Sequence, residues 1–260
     1  MILIVIGLEL VIRRSMKGPT GDIAAALVVL LAVVGAAAYV AIAPNPSATQ
    51  TFEASNDIGS ITEARAEIDV GAATIAISSG GDLGSKLYHA RIDYSGTKPE
   101  VRLDSSGKLT ISQPSGNFVF EPSRRIRVDL ALNPTVGWTL TVNSGAISST
   151  IDAVHLHVAG VNFNTGAASA DITLGPPSGI VPVTFSGGAL TVHVHRPGGT
   201  AVRAEVSGGA VSLNGDGRDM HAIGQLNYES SGFSSAADGY RVKLDGGSCT
   251  LTLDTTVASG

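Results

Sequence analysis

From about residue 60 the chain alternates apolar and polar positions in short runs, the period-two signature of strands with one buried face. Ala66, Ile68 and Val70 alternate with Glu67 and Asp69, Gly71-Ala72 reads as a turn, and Thr74 to Ser78 as the next strand. Leu109 to Ile111 and Ile126 to Leu132 continue the rhythm. No useful helical periodicity follows residue 60, which predicts an all-β region.

A small-residue motif then recurs at Ser144-Gly145-Ala146, Thr165-Gly166-Ala167, Gly187-Gly188-Ala189 and Gly208-Gly209-Ala210. Counted from Gly145, Gly166, Gly187 and Gly208, each step is 21 residues. After these turns Ala168, Ala170, Ile172 and Leu174, then Leu190, Val192 and Val194, are predicted to face inward. Ser169, Asp171, Thr173, Thr191, His193 and His195 are predicted to face water. Pro176-Pro177 and Pro197-Gly198-Gly199 interrupt the strands where the chain turns a corner. Such a period fits two or three short strands per turn of a parallel β-solenoid, whose coils must stack because one coil cannot bury its apolar face. A β-sandwich also has many short strands and glycine turns, but it needs no constant repeat length. Trp138, just before the regular coils, is expected to cap the first of them.

Composition refines this picture. Aromatics are 5% and charged residues 15% of 260 residues, with Gly 32, so small branched side chains are expected to fill the interior and glycines to supply positive φ at turns. The net charge of -5 comes without a basic stripe and gives no reason to expect nucleic acid as a partner. Cys249, the one cysteine, has no partner for an internal disulfide and reads as a small packed residue.

Ile23 to Ala43 carries no charge and as a helix would span roughly 32 Å, enough for a bilayer core. Arg13, Arg14 and Lys17 precede it, and no Lys or Arg follows until Arg65, which places the N-terminal side in the cytoplasm. The expected organisation is a membrane region at 1–43, with a partial or interfacial segment at 1–12 and a transmembrane helix at 23–43. A linker at 44–60 and an extracytoplasmic β-solenoid domain at 61–260 follow. A start placed downstream of the true one would explain the short segment 1–12. A cleaved leader ending at Ala41-Ile42-Ala43 is the alternative to an anchor, opposed by the length of the apolar run and by Pro44.

Candidate chemistry is thin. His155 with His157, and His193 with His195, read as i, i+2 pairs on outward strand faces beside inward Val154, Leu156 and Val158; such pairs can bind a transition metal. Their offsets within the repeat differ, so the pairs need not be neighbours, and exposed sheet-face histidines are the simpler reading. Glu67 with Asp69, and Asp216 with Asp219, could serve glycoside hydrolysis only if each pair flanked a sugar; solvated faces and turns explain them. Gly215 to Asp219 resembles a calcium loop but lacks the EF-hand register. Ser78 to Asp82 and Asp245 to Ser248 would cradle an anion only by opening a helix, which is not predicted. No catalytic, cofactor-binding or metal residue is assigned.

Several of these stretches resemble the toast-rack domain of LiaF-like and YvlB-like, DUF4097-type, bacterial cell-envelope proteins. They include Ile68 to Ala73 with Ile75, Leu83 to Ala90, Gly107 to Ile111, Trp138 to Ala146, the later Gly-Ala turns with Pro197, and Tyr228 to Leu244. Ile6-Gly7-Leu8 to Arg13-Arg14 resembles the close of the membrane region in LiaF-like proteins. The resemblance implies a short right-handed β-solenoid on a membrane anchor, linked to envelope stress through a sensor kinase, and supplies no catalytic residues. The expected function is that of a non-enzymatic, single-pass envelope protein that docks or senses through its sheet faces. The expected partners are the membrane, a sensor kinase or other envelope protein, or a second copy. The alternatives are an extracytoplasmic glycan or polymer-binding module and a passive structural or assembly protein.

Overall fold

The structure, a computed structural model, describes residues 49–114 and 126–256. The expected segments at 1–12 and 23–43 lie outside the described residues; among the described residues no helix is long and apolar enough to cross a membrane. The described residues from Thr49 onward belong to one compact unit.

That unit is all-β, as the alternation predicts. Its strands are β1 (Gln50–Asp57), β2 (Glu63–Ser79), β3 (Lys86–Tyr94), β4 (Glu100–Leu103), β5 (Lys108–Ser112) and β6 (Ile126–Leu132). They continue with β7 (Gly137–Ala153), β8 (His157–Leu174), β9 (Ile180–Pro197), β10 (Ala201–Gly215), β11 (Arg218–Glu229) and β12 (Gly239–Thr256). One 3-10 turn, Phe233–Ser235, precedes β12. Residues 50–57, expected within the linker, instead form β1, which pairs antiparallel with β3. The alternation of half-buried Phe52 and Ala54 with exposed Thr51 and Glu53 was too weak a signal to find it.

The main path through the sheet is β1-β3-β6-β2-β7-β8-β9-β12-β10-β11. Its middle, β2-β7-β8-β9-β12-β10, is parallel throughout. Gly137 of β7 stands beside His157 of β8, yet only Val154 to Leu156 separate the two strands. A straight strand of 17 residues would span about 56 Å. A link of three residues reaches only about 14 Å, so β7 must curl until its end returns near its start. Instead of two or three short strands, each repeat is one long strand bent at its glycine.

The bend is visible in the burial pattern. In β7, Trp138, Leu140 and Val142 are buried before the glycine and Ile147, Ile151 and Ala153 after it, so the inward parity switches at Ser144-Gly145-Ala146. Both arms feed one core cluster. The inward and outward residues predicted on β8 and β9 fall as expected.

The glycines at the bend are required by crowding, whereas positive φ was expected. None of Gly145, Gly166, Gly188, Gly209 or Gly247 has positive φ. A Cβ on Gly145 would lie 2.8 Å from the Gly71 carbonyl oxygen, one on Gly166 2.5 Å from that of Gly145, and one on Gly188 2.8 Å from that of Gly166. Gly247 meets the Gly188 oxygen at 2.9 Å and Gly209 that of Gly247 at 3.0 Å. Bent backbones thus stack rung on rung, at a spacing that leaves little room for a side chain.

Two further expectations change. The few aromatics are interior: Trp138, Tyr88, Tyr240, Phe163 and Phe185 are among the largest fully buried side chains, with the two phenylalanine rings stacked at 4.6 Å. Trp138 does not cap the stack, because β2 covers β7 on the side away from β8; its Nε1 donates to the carbonyl of buried Asn133. Equal repeat steps also imply that β10 lies on β9, but β12 sits between them. The chain makes a two-residue turn at Asp216-Gly217, with φ of 50 and 81, returns along β11, and re-enters the stack as β12. On the far side of β2, β5 covers the first arm and β6 the second. Antiparallel strands flank both ends of the parallel stack: β4 on β5 and β3 with β1 on β6, and β11 on β10.

Candidate functional site

Two outward features stand out, and both follow from in-register parallel stacking. The first is a strip of short side chains beside the glycine ladder, where Ala72, Ala146, Ala167 and Ala189 are neighbours on β2, β7, β8 and β9. All four are exposed. With Thr74, Ser148, Ser169 and Thr191 they line an open groove of about 900 Å³ that also reaches Asp93 and Arg127. Because these side chains are short, the groove presents sheet surface almost down to the backbone. A polar ladder also crosses the stack: Asn143 Nδ2 donates to Asp69 at 2.6 Å and Asn164 Nδ2 donates to Asn143 at 3.0 Å.

The second feature is a cluster of imidazoles and carboxylates. His193 and His195 project from the same face of β9, with ring centroids 3.9 Å apart. Asp171 of β8 is the register partner of His193, and Asp254 of β12 that of His195. Asp254 takes one nitrogen of each ring, His193 Nε2 at 2.8 Å and His195 Nδ1 at 2.5 Å. The opposite nitrogens face Asp171, with His195 Nε2 at 3.5 Å and His193 Nδ1 at 3.9 Å. The four side chains are between 23% and 54% exposed, open to a solute yet half enclosed.

Arg196 next along β9 points the other way and is buried. It donates to the main-chain oxygens of Thr200 and Asp254 and, through Nη2, to both oxygens of Asp216. The guanidinium holds the Asp216 carboxyl below the ordinary carboxylate range against its partial burial, helped by the Tyr228 hydroxyl. Burial, with the Asp216 bond, pushes Tyr228 up.

The structure separates the two histidine pairs. Val154 and His155 lie on the link between β7 and β8, not on a strand, and Val154 is 37% exposed where an inward position was expected. Asp171 and Asp254 were missed as companions of His193 and His195. Counting from the ladder glycines would have found Asp171, since it stands five residues past Gly166 and His193 five past Gly188. The repeat step there is 22, not 21. Asp254 was hidden by the insertion of β12.

Each carboxylate of the two pairs has a partner of its own. Glu67 bonds Lys108 at 2.9 Å while Asp69 bonds Asn143. Asp216 is bound by Arg196, and Asp219 accepts from Asn214. In the Gly215 to Asp219 turn the Asp216 carboxylate is taken up by the Arg196 guanidinium. Ser78 to Asp82 and Asp245 to Ser248 open no helix. Cys249 is buried, and burial raises its thiol, so it packs as expected. Tyr88, Tyr94, Tyr240 and Trp138 are buried and Tyr228 is held by Asp216, so these rings form no exposed sugar platform.

Curled, in-register β-strands with small residues at each bend define a parallel β-stack fold. The chain belongs to the toast-rack family: residues 43–195 match the model described as the N-terminal domain of toast_rack, DUF2154. Among solved structures it is similar to a candidate cell adhesion protein from Clostridium sporogenes. That relative is 19% identical, and the match covers 80% of this chain and 100% of that one with a TM-score of 0.68. A candidate adhesin from Bacteroides fragilis aligns over 80% of this chain and 99% of its own at 11% identity and a TM-score of 0.24. No curated protein matches the chain.

Proposed function

We propose that this protein is a non-enzymatic module of the bacterial cell envelope that makes contacts through its outward sheet faces. The observation that carries this reading is the groove along Ala72, Ala146, Ala167 and Ala189, which offers four adjoining strands with little side-chain relief. A partner segment laid there can approach the sheet closely, with Ser and Thr hydroxyls of the rim to bond its polar groups. The curled strands are read as coils of a short right-handed β-solenoid, and a fold relative among candidate adhesion proteins is in keeping with a contact role.

Anchoring rests on the uncharged run Ile23 to Ala43 and its basic N-terminal flank, which would hold the β domain outside the membrane as a single-pass protein. Contact with a sensor kinase in envelope stress is the regulatory form of this role, drawn from the LiaF-like resemblance. The assembly alternative draws support from Ile223, 89% exposed on edge strand β11.

A photo-crosslinking residue placed at Ala167 in the full-length protein, in native membranes, tests the groove against one at Gln225 on β11. Crosslinked partner at Ala167 and little at Gln225 is the expected result. The reverse pattern favours edge-to-edge assembly and overturns the groove, and crosslinks at neither position overturn the contact role.

A further inference from the structure

We infer that His193, His195 and Asp171 form a binding site for a divalent transition metal of the zinc class, with Asp254 orienting both imidazoles. This site shares no residue with the groove proposed above, beside which it lies on the outward face of β8 and β9, and does not depend on it.

The argument starts from hydrogen-bond capacity. A neutral imidazole has one N–H and one lone pair. Asp254 is an acceptor and lies at hydrogen-bond distance from His193 Nε2 and His195 Nδ1, so both rings place their N–H there. That assignment leaves His193 Nδ1 and His195 Nε2 as lone pairs, and both face the Asp171 carboxylate. Two lone pairs and an anion converging on one point repel each other unless a cation lies between them. The two nitrogens meet different oxygens of Asp171, His193 Nδ1 facing Oδ2 and His195 Nε2 facing Oδ1, and one ligand atom from each of the three residues lies within 4.8 Å of the others.

The distances fit a metal better than direct hydrogen bonds. Ligands about 2.0–2.1 Å from a tetrahedral zinc stand roughly 3.4 Å apart. The Asp171 contacts of 3.5 Å and 3.9 Å are near that separation and too long for good hydrogen bonds. Two imidazoles and one carboxylate leave a fourth position for water, and this nitrogen-rich set selects zinc-class ions over magnesium or calcium. A carboxylate behind a ligating imidazole is the usual second layer of such a site, fixing tautomer and ring angle. Here one carboxylate serves both rings, and it is itself held because Arg196 Nη1 donates to the Asp254 main-chain oxygen at 3.1 Å. The two carboxylates balance the charge of a divalent ion.

The test is calorimetric titration of zinc into tag-free full-length protein, with cobalt absorption spectra to read coordination geometry. The expected result is one zinc per chain and tetrahedral cobalt bands. His193→Gln and Asp171→Asn should abolish both signals, and Asp254→Asn should weaken zinc binding by about 10- to 100-fold. His155→Gln should change neither. Circular dichroism identifies any variant that fails to fold, and Asp171→Asn, an exposed and nearly isosteric change, keeps the test open in that event. Absence of zinc binding by the wild type, or binding equally strong in folded Asp171→Asn, overturns the site.

Discussion

The run from β7 to β9 and the closing segment from β10 to β12 build the same parallel stack by different means. In the first, consecutive repeats lie on one another, held by close backbone approach at glycines and by in-register apolar ladders. In the second, order along the chain and order in space part company, and a half-buried ion pair marks the place: Arg196 at the end of β9 reaches Asp216 in the β10–β11 turn and the backbone of β12. Repetition can specify contact between like neighbours. An insertion needs contacts that only its own residues can make.

The sharpest way to break the repeat half is to crowd one rung. Gly166→Ala places a methyl 2.5 Å from the Gly145 oxygen, and the expected loss is about 3 kcal/mol by chemical denaturation. The same change at Gly71, where nothing lies within 4 Å, should cost less than about 0.5 kcal/mol. Equal costs at the two sites would mean that the ladder is not what constrains the bend.

For the closing half, Arg196→Met strands Asp216 without its cation and should cost about 2 kcal/mol. This lies below the range for a fully buried pair because Asp216 is a third exposed. The bond also predicts a pH dependence. The Asp216 carboxyl is depressed by the Arg196 hydrogen bond, so its contribution is present above the ordinary carboxylate pKa of about 3.9 and is lost as pH falls through the lower folded value. Acid unfolding of Asp216→Asn should accordingly show a flatter dependence below about pH 4.

The smallest effect is a gain. The Ser149 hydroxyl is buried on β7 with no hydrogen-bond partner. Ser149→Ala should therefore stabilise the protein by up to about 1 kcal/mol. A loss of similar size would show that the hydroxyl is satisfied in solution.

Much of the repeat half was legible because its signals are local. Alternation located Ala168 to Leu174 and Leu190 to Val194 on the inward face, and the Gly-Ala motif located each bend. The reason for those glycines was not legible, since crowding between Gly166 and Gly145 is a property of two coils together. Nor was the place of β12, because Gly247 stands 59 residues beyond Gly188 and no periodicity joins them. The histidine pair could be seen, but its carboxylates come from the two neighbouring strands, one displaced by a 22-residue step and the other by the insertion.

The insertion carries the rest of the account, because only with β12 beside β9 does Asp254 meet His193 and His195. It can be tested by pairing cysteines in a Cys249→Ser background. Thr191 and Thr250 are register partners on adjacent strands, whereas Ser212 is the partner of Thr250 on its other side, one strand further from Thr191. Adjacent strands lie about 4.8 Å apart and alternate strands about twice that, and a disulfide needs Cα atoms no more than about 6.8 Å apart. Under mild oxidation, Thr191→Cys with Thr250→Cys should crosslink rapidly within one chain, and Thr191→Cys with Ser212→Cys should not. Efficient crosslinking of the second pair and none of the first would contradict the insertion and the side-chain cluster built on it.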